Sequence, residues 1–132
     1  MGLDISHDAF CGAYSAFNRF RQAALKAFGG SWPPHDNESL EPGRWYWESS
    51  KEENPGLYEF FCHSDCDGEI EPELCGKLAD ELELLLPKIE ELEGMFPAGG
   101  HIERNGGYAQ VTKDFIAGCR EAHSLNEPLE FC

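Results

Sequence analysis

The sequence is short of cationic side chains. Its 132 residues include 10 Lys and Arg against 25 Asp and Glu, which gives a formal net charge of −15 at pH 7. A surface of this charge repels nucleic acid and anionic membranes, and it favours solubility and basic partners. The composition therefore predicts that the partner is a protein and excludes direct binding of nucleic acid or of a membrane.

Long hydrophobic runs and Cys-x-x-Cys pairs are also missing. No run is long enough to span a bilayer, and the opening MGLDISHDAF lacks the cationic start of a signal peptide. We therefore expect a cytoplasmic protein whose six cysteines remain thiols. Three of them fall on or beside helical apolar stripes and are predicted to be small core residues: Cys11, Cys75 and Cys119.

The familiar catalytic patterns are absent as well. The sequence has no Ser-His-Asp arrangement, no glycine-rich phosphate loop and no basic surface stretch. Cys66 is a poor candidate nucleophile, because the neighbouring Asp65 and Asp67 disfavour a thiolate. Whether the protein is an enzyme is left open by these residues.

The richest part of the chain runs from Leu57 to Leu92. Aromatic residues alternating from Leu57 to His63 predict a strand. Pro72 suits the first turn of a helix, and leucines and isoleucines at spacings of three and four predict that this helix continues to Leu92. Pro87 is expected to kink the helix or to restart it near Leu86.

The turn between that strand and helix, HSDCDGEI, is the candidate site. His63, Asp65 and Asp67 alternate before a glycine, as in the first half of a calcium loop. The match fails at both ends, since His63 and Leu74 occupy the positions that need Asp and a bidentate Glu. Imidazole with carboxylates suits zinc or manganese better than calcium. The alternative is that the turn is structural, with Asp and Ser side chains bonding backbone amides.

The rest of the chain predicts an α+β fold in a single domain covering residues 1–132. A strand is expected over Gly2–Ser6, followed by a helix from about Asp8 to the Gly29-Gly30 pair. A long loop, free to be mobile, is expected at about 31–43, and a strand at 44–48 contains Trp45 and Trp47. A third helix follows the Asn-Gly-Gly turn at 105–107, and residues 129–131 form a short edge strand.

These elements predict three helices on one face of a small, mainly antiparallel sheet of about four strands. If the Gly2 strand neighbours the Leu57 strand, His7 meets His63 at one end of the sheet. His7, His63, Asp65 and Asp67, with Glu69 or Glu71 as further candidates, would then form a site for a divalent metal: zinc, manganese or calcium. A metal hydrolase would need about three such ligands and one open position.

Several strings also resemble a known family. MGLDISHDAF and GAYSAFNRFR near the start, HSDCDGEI in the turn and EPLEF at the end are similar to small bacteriophage and bacterial proteins, many of them from actinobacteria and their viruses. The resemblance covers most of the chain except residues 31–43. It implies a cytosolic, phage-associated context. The family has no established activity, so the resemblance assigns no catalytic residue.

Three functions follow as hypotheses. The leading one is an accessory protein that acts through protein contacts and is insensitive to chelators. The second is a metal-binding protein or metal-dependent hydrolase that uses the His63–Asp67 turn. The third is an acidic DNA mimic that binds a basic DNA-binding protein in a strongly salt-dependent manner, because its carboxylates replace phosphates.

Overall fold

The computed structural model describes residues 2–28, 52–64, 66–93 and 100–132. In chain order the described elements are β1 (Gly2–Ile5), β2 (Phe10–Ala13), α1 (Tyr14–Phe28), α2 (Pro55–Cys62), β3 (Glu69–Ile70), α3 (Pro72–Leu92), α4 (Gly100–Arg104), α5 (Tyr108–Ser124) and β4 (Leu129–Glu130). The predicted α+β class is confirmed. The predicted count of three helices is wrong, since the described residues contain five.

A tight hairpin replaces the predicted start of the first helix. β1 and β2 pair antiparallel, and the turn between them is closed by the Ala9 amide donating to the Ser6 carbonyl at 3.2 Å. His7 and Asp8 occupy its two central positions with φ of 60° and 57°. Two positive φ values match the twist of a two-residue hairpin, and His and Asp tolerate this region better than most side chains. The chain therefore reverses at Asp8 instead of entering a helix.

The hairpin also changes the environment of Cys11. Side chains alternate along β2, so Phe10 is buried while Cys11 is exposed. The prediction that Cys11 is a core residue is therefore wrong, because it assumed helical spacing. Cys75 and Cys119 are both fully buried, as predicted.

Residues 55–62 form helix α2, so the predicted Leu57–His63 strand is wrong. Leu57, Phe60 and Phe61 are 2% exposed or less, and their spacing of three and four places them on one face of a helix. Pro55 stands at the first turn, where its missing N–H costs no hydrogen bond. Helical burial of the aromatic rings outweighed their preference for strands.

Helix α3 agrees with its predicted bounds. It runs without interruption from Pro72 to Leu92 and contains Pro87 in its interior, so the predicted restart near Leu86 does not occur. Its core face is built from six buried residues at helical spacing: Cys75, Leu78, Ala79, Leu82, Leu85 and Ile89. α5 likewise confirms the predicted third helix.

Within the described ranges the strands form two small antiparallel sheets, β1–β2 and β3–β4, rather than one sheet of about four strands. An isolated bridge between Ile5 and Phe131 links the two sheets. On either side of it, the Ser6 amide donates to the Glu130 carbonyl and the Cys132 amide to the Asp4 carbonyl, both at 2.9 Å. The predicted C-terminal edge strand is thus present, and it lies beside β1.

An aromatic cluster fills the interior where the helices and strands meet. Phe60 and Phe115 have ring centroids 5.1 Å apart, and Phe17 packs edge-on against Phe60 at 5.9 Å and against Phe131 at 5.7 Å. Contacts of this geometry add to the burial of apolar area. One core therefore joins α1, α2, α5 and the C-terminal strand.

Several predictions fall on residues outside the described ranges. These are the loop at 31–43, the strand at 44–48 with Trp45 and Trp47, and the side chain of Asp65. Within the described ranges, no helix combines the length and the apolar character needed to cross a membrane.

Candidate functional site

The predicted metal turn begins where α2 ends. His63 is the C-terminal cap residue of α2, with extended backbone angles. The guanidinium of Arg21 donates to the Phe60 carbonyl at 3.1 Å and to the His63 carbonyl at 2.6 Å. A buried cation at this end satisfies carbonyls that the helix leaves unpaired. Arg21 of α1 thus holds the backbone at the start of the turn.

The imidazole of His63 is held by two backbone carbonyls and an aromatic ring. Its Nδ1 lies 2.8 Å from the Ser64 carbonyl oxygen and its Nε2 lies 3.2 Å from the Glu69 carbonyl oxygen. The ring lies over Phe131 with centroids 4.1 Å apart, and Gly68 approaches it closely. A neutral imidazole has one N–H, so only the doubly protonated ring can donate to both carbonyls. A metal would have to replace one of these contacts to reach a nitrogen lone pair.

The residues after His63 form a turn held by a serine side chain. Ser64 Oγ accepts from the backbone amides of Cys66 and Asp67 at 3.2 and 3.3 Å. Gly68 has φ of 94°, a conformation that favours glycine, and its carbonyl accepts from the Phe131 amide at 2.9 Å. These contacts are those expected of the structural alternative, a strand-capping turn that docks the C-terminal residues.

His7 lies in the hairpin turn and has different partners from His63. Its Nδ1 is 3.4 Å from Glu121 Oε1 and its Nε2 is 3.3 Å from Glu127 Oε1. The premise for joining the two histidines is wrong, because residues 57–62 are helical and the second neighbour of β1 is Phe131. No contact between His7 and His63 occurs among the described residues.

The metal prediction therefore remains a prediction. Within the ranges that the structure describes, no group of three or more His, Cys, Asp and Glu side chains is arranged to hold a metal ion. Asp67 is exposed at the turn, and Asp65 lies outside the described residues. The His63 ring lies beside the backbone of Glu69. Among the described contacts, none joins the Glu69 carboxylate to this ring.

A buried pair of thiols was missed as a pair by the sequence analysis. Cys75 and Cys119 lie on α3 and α5 and are in hydrogen-bonding contact, and Cys75 Sγ also lies 3.4 Å from the Ile70 carbonyl oxygen. The hydrogen bond that Cys119 donates lowers the pKa of the Cys75 thiol. The same bond and burial raise the pKa of the Cys119 thiol well above its ordinary value. Helical spacing indicated that each is buried, but it carried no information on their contact.

The outer face of α3 is an extended acidic surface. Its exposed residues are Glu73, Lys77, Asp80, Glu83, Leu84, Pro87, Lys88, Glu90 and Glu91. Leu84 is 81% exposed, and residues three and four positions away are its neighbours on a helix. Arg120 of α5 borders this surface, with Nη1 3.0 Å from Asp80 and Nη2 2.6 Å from Glu83.

Comparisons with known proteins add no relative. No protein-family model, no curated protein and no solved structure matches the chain.

Proposed function

We propose that this protein is a small acidic accessory protein that binds a basic protein partner through the outer face of α3. The proposal includes the bacterial or phage context that the sequence resemblance implies. The observation that carries it is Leu84, a large apolar side chain that is 81% exposed in the middle of a carboxylate-rich helix face. An apolar centre with a charged surround is the usual composition of a protein interface.

Charge supports the same choice of partner. Nine of the 25 acidic residues lie between Glu69 and Glu93, and five of the nine exposed residues of α3 are aspartate or glutamate. Complementary charge steers association and selects among partners more than it raises affinity. A basic partner with an apolar contact point opposite Leu84 fits this surface best.

The direct test is site-specific photo-crosslinking in the cells from which the protein comes. A crosslinking residue at position 84 is compared with one at Ala117, which is exposed on α5. We expect a basic protein to be captured from position 84 and not from position 117. Equal capture from both positions would contradict the proposal.

The captured partner then allows a quantitative test. Leu84→Asp should weaken its binding by about tenfold or more, as expected for an apolar side chain at the centre of an interface. Glu90→Lys with Glu91→Lys should slow association, with a loss that is larger at low salt. Unchanged binding of the Leu84→Asp protein would exclude the α3 face.

The DNA-mimic hypothesis is one outcome of the same experiment. It requires that the partner be a DNA-binding protein and that duplex DNA compete with this chain for it. Binding that moderate salt does not weaken would exclude mimicry, because a phosphate-like surface acts through screened charge.

A further inference from the structure

A small cavity lies between the hairpin, α4 and α5. Its volume is about 180 Å³, and its lining includes Phe10 from β2, His101 and Asn105 from the region of α4, and Val111 from α5. Asp8 and Asp114 also line it, and both are exposed. A volume of this size holds about six waters, so it suits a short chain of atoms and excludes a nucleotide.

The imidazole of His101 packs on β2. Its ring meets Phe10 edge-on, with centroids 5.5 Å apart, and its Nε2 lies over Gly12 so closely that any Cβ there would overlap it. The amide nitrogen of Asn105 lies 2.9 Å from the His101 carbonyl oxygen and 3.1 Å from Nδ1. Since a carbonyl only accepts, that nitrogen is the donor, and Nδ1 accepts from the same amide group.

The amide group of Asn105 and the two carboxylates are therefore left as acceptors for a ligand. Asn105 Nδ2 is used by His101, which leaves the amide oxygen. Asp114 accepts one hydrogen bond, from Gln110 at 3.0 Å, and within the described residues Asp8 accepts none. No lysine, arginine, serine or threonine lines the cavity. A ligand for such a lining must bring its own donors and, between two carboxylates, positive charge.

The remaining lining consists of Cys11, which carries an exposed thiol, and three apolar residues. Ala9, Phe10 and Val111 are each buried to 6% exposure or less. Apolar residues together with carboxylates match an ammonium group carried on a short alkyl stem, because the methylenes lose contact with water against the apolar residues while the carboxylates pair with the charge. We propose that this cavity binds an alkylammonium group, supplied either by a free amine or by the lysine side chain of another protein.

The hairpin that contributes Asp8 to the cavity is held against its neighbours. His7, the residue before Asp8 in the turn, lies against Glu121 and Glu127. These contacts join the turn to α5 and to the residues that follow it. The cavity is thus walled by elements that are held to each other independently of a ligand.

The test is an NMR titration of the ¹⁵N-labelled full chain with n-butylamine. We expect saturable shifts at residues 8–11, 101–105 and 111–114. The Asp8→Asn/Asp114→Asn variant should weaken binding by about tenfold or more, and asparagine tolerates the left-handed backbone at position 8. The matched control is Glu90→Gln/Glu91→Gln, which removes the same charge from α3 and should leave the affinity within about twofold.

Two further ligands complete the design. 1-Butanol has the same stem without charge and should give no saturable shift. Nα-acetyl-lysine amide identifies the source: tighter binding than butylamine indicates a lysine side chain, and weaker binding indicates a free amine. The proposal is overturned if butylamine gives no saturable shift, if butanol binds equally well, or if both double variants lose affinity alike. Since the control variant alters the α3 face, failure here is separable from failure of the proposed partner surface.

Discussion

Arg21 and Glu81 hold opposite ends of helix α2. The Glu81 carboxylate accepts from the amides of Gly56 and Leu57 at 3.1 and 3.0 Å, and Arg21 donates to carbonyls at the other end. Each charge faces the helix end with the opposite partial charge. An isolated helix of eight residues is marginal in water, so α2 depends on these two side chains and on its buried face.

Removing the charge of Arg21 at the C-terminal end of α2 should lower the stability of the protein. Arg21 is 5% exposed, and Arg21→Met leaves the carbonyls of Phe60 and His63 without this donor. Hydrogen bonds of a charged group are each worth about 1.5–3 kcal/mol, so we expect the free energy of unfolding to fall by about 2 kcal/mol or more. Urea denaturation measures it. Lys113→Met, an exposed change on α5, is the control and should have little effect.

Glu81 should give the stability a defined pH dependence. Burial raises the pKa of Glu81 above its ordinary value of 4.5, although the amides of Leu57 and Gly56 oppose this shift. The folded protein therefore holds this proton more tightly than the unfolded chain. The resulting stabilisation is present below pH 4.5 and is lost as pH rises through the folded pKa.

The comparison with Glu81→Gln isolates this effect. We expect the unfolding free energy of the wild type to fall relative to that of the variant as the pH is raised from about 4 to about 7. Urea denaturation at each pH gives the difference. A constant difference over this range would show that burial does not perturb this carboxyl group.

Gly56 lies where α2 packs closely against α3. A Cβ at this position would lie 2.5 Å from both Cα and the amide nitrogen of Leu78, and backbone atoms cannot move aside as a flexible side chain can. Gly56→Ala should therefore destabilise by about 1–3 kcal/mol, the range for overpacking a core. At Gly100 the nearest atom is the far end of Arg104, at 3.1 Å. Thermal unfolding should show little loss for Gly100→Ala.

The metal hypothesis is tested by elemental mass spectrometry on protein purified without chelator. If the turn is a site, near-stoichiometric zinc, manganese or calcium is expected, EDTA lowers the melting temperature, and His63→Ala weakens metal binding by about tenfold or more. His123→Ala is the matched control, since His123 lies against the Pro72 carbonyl instead. An unchanged isotherm for His63→Ala would leave the turn with its structural role.

The exposed and the buried cysteines should differ in the rate at which their thiols react. Cys11, Cys66 and Cys132 are exposed, whereas Cys75 and Cys119 are buried. Alkylation of the native protein should label the exposed three first, because access controls the rate when the thiol is in the core. Peptide mapping after short exposure to iodoacetamide resolves the sites. Early labelling of Cys119 would show that the α3–α5 contact opens readily.

The predictions that succeeded are those in which one pattern dominates the local energy. The apolar stripe of α3 extends over five turns, and α5 has a similar stripe, so both helices follow from sequence spacing. Residues 57–62 were mistaken for a strand because alternation and helical spacing are hard to separate in a short aromatic run. Pro55 was the available signal for a helix start, because proline suits the first turn of a helix.

Composition and spacing by themselves determined the α+β class, the acidic surface, the buried faces of the long helices and the turn after His63. The remaining features depend on residues far apart in the chain. The partners of His7 and the clamp of α2 by Arg21 and Glu81 arise only when separate elements pack. The same is true of the acceptor-rich cavity between the hairpin and α5. Local patterns fix which side chains leave water, whereas tertiary packing decides which polar groups they meet, because a buried polar group takes whichever partner the surrounding elements bring to it.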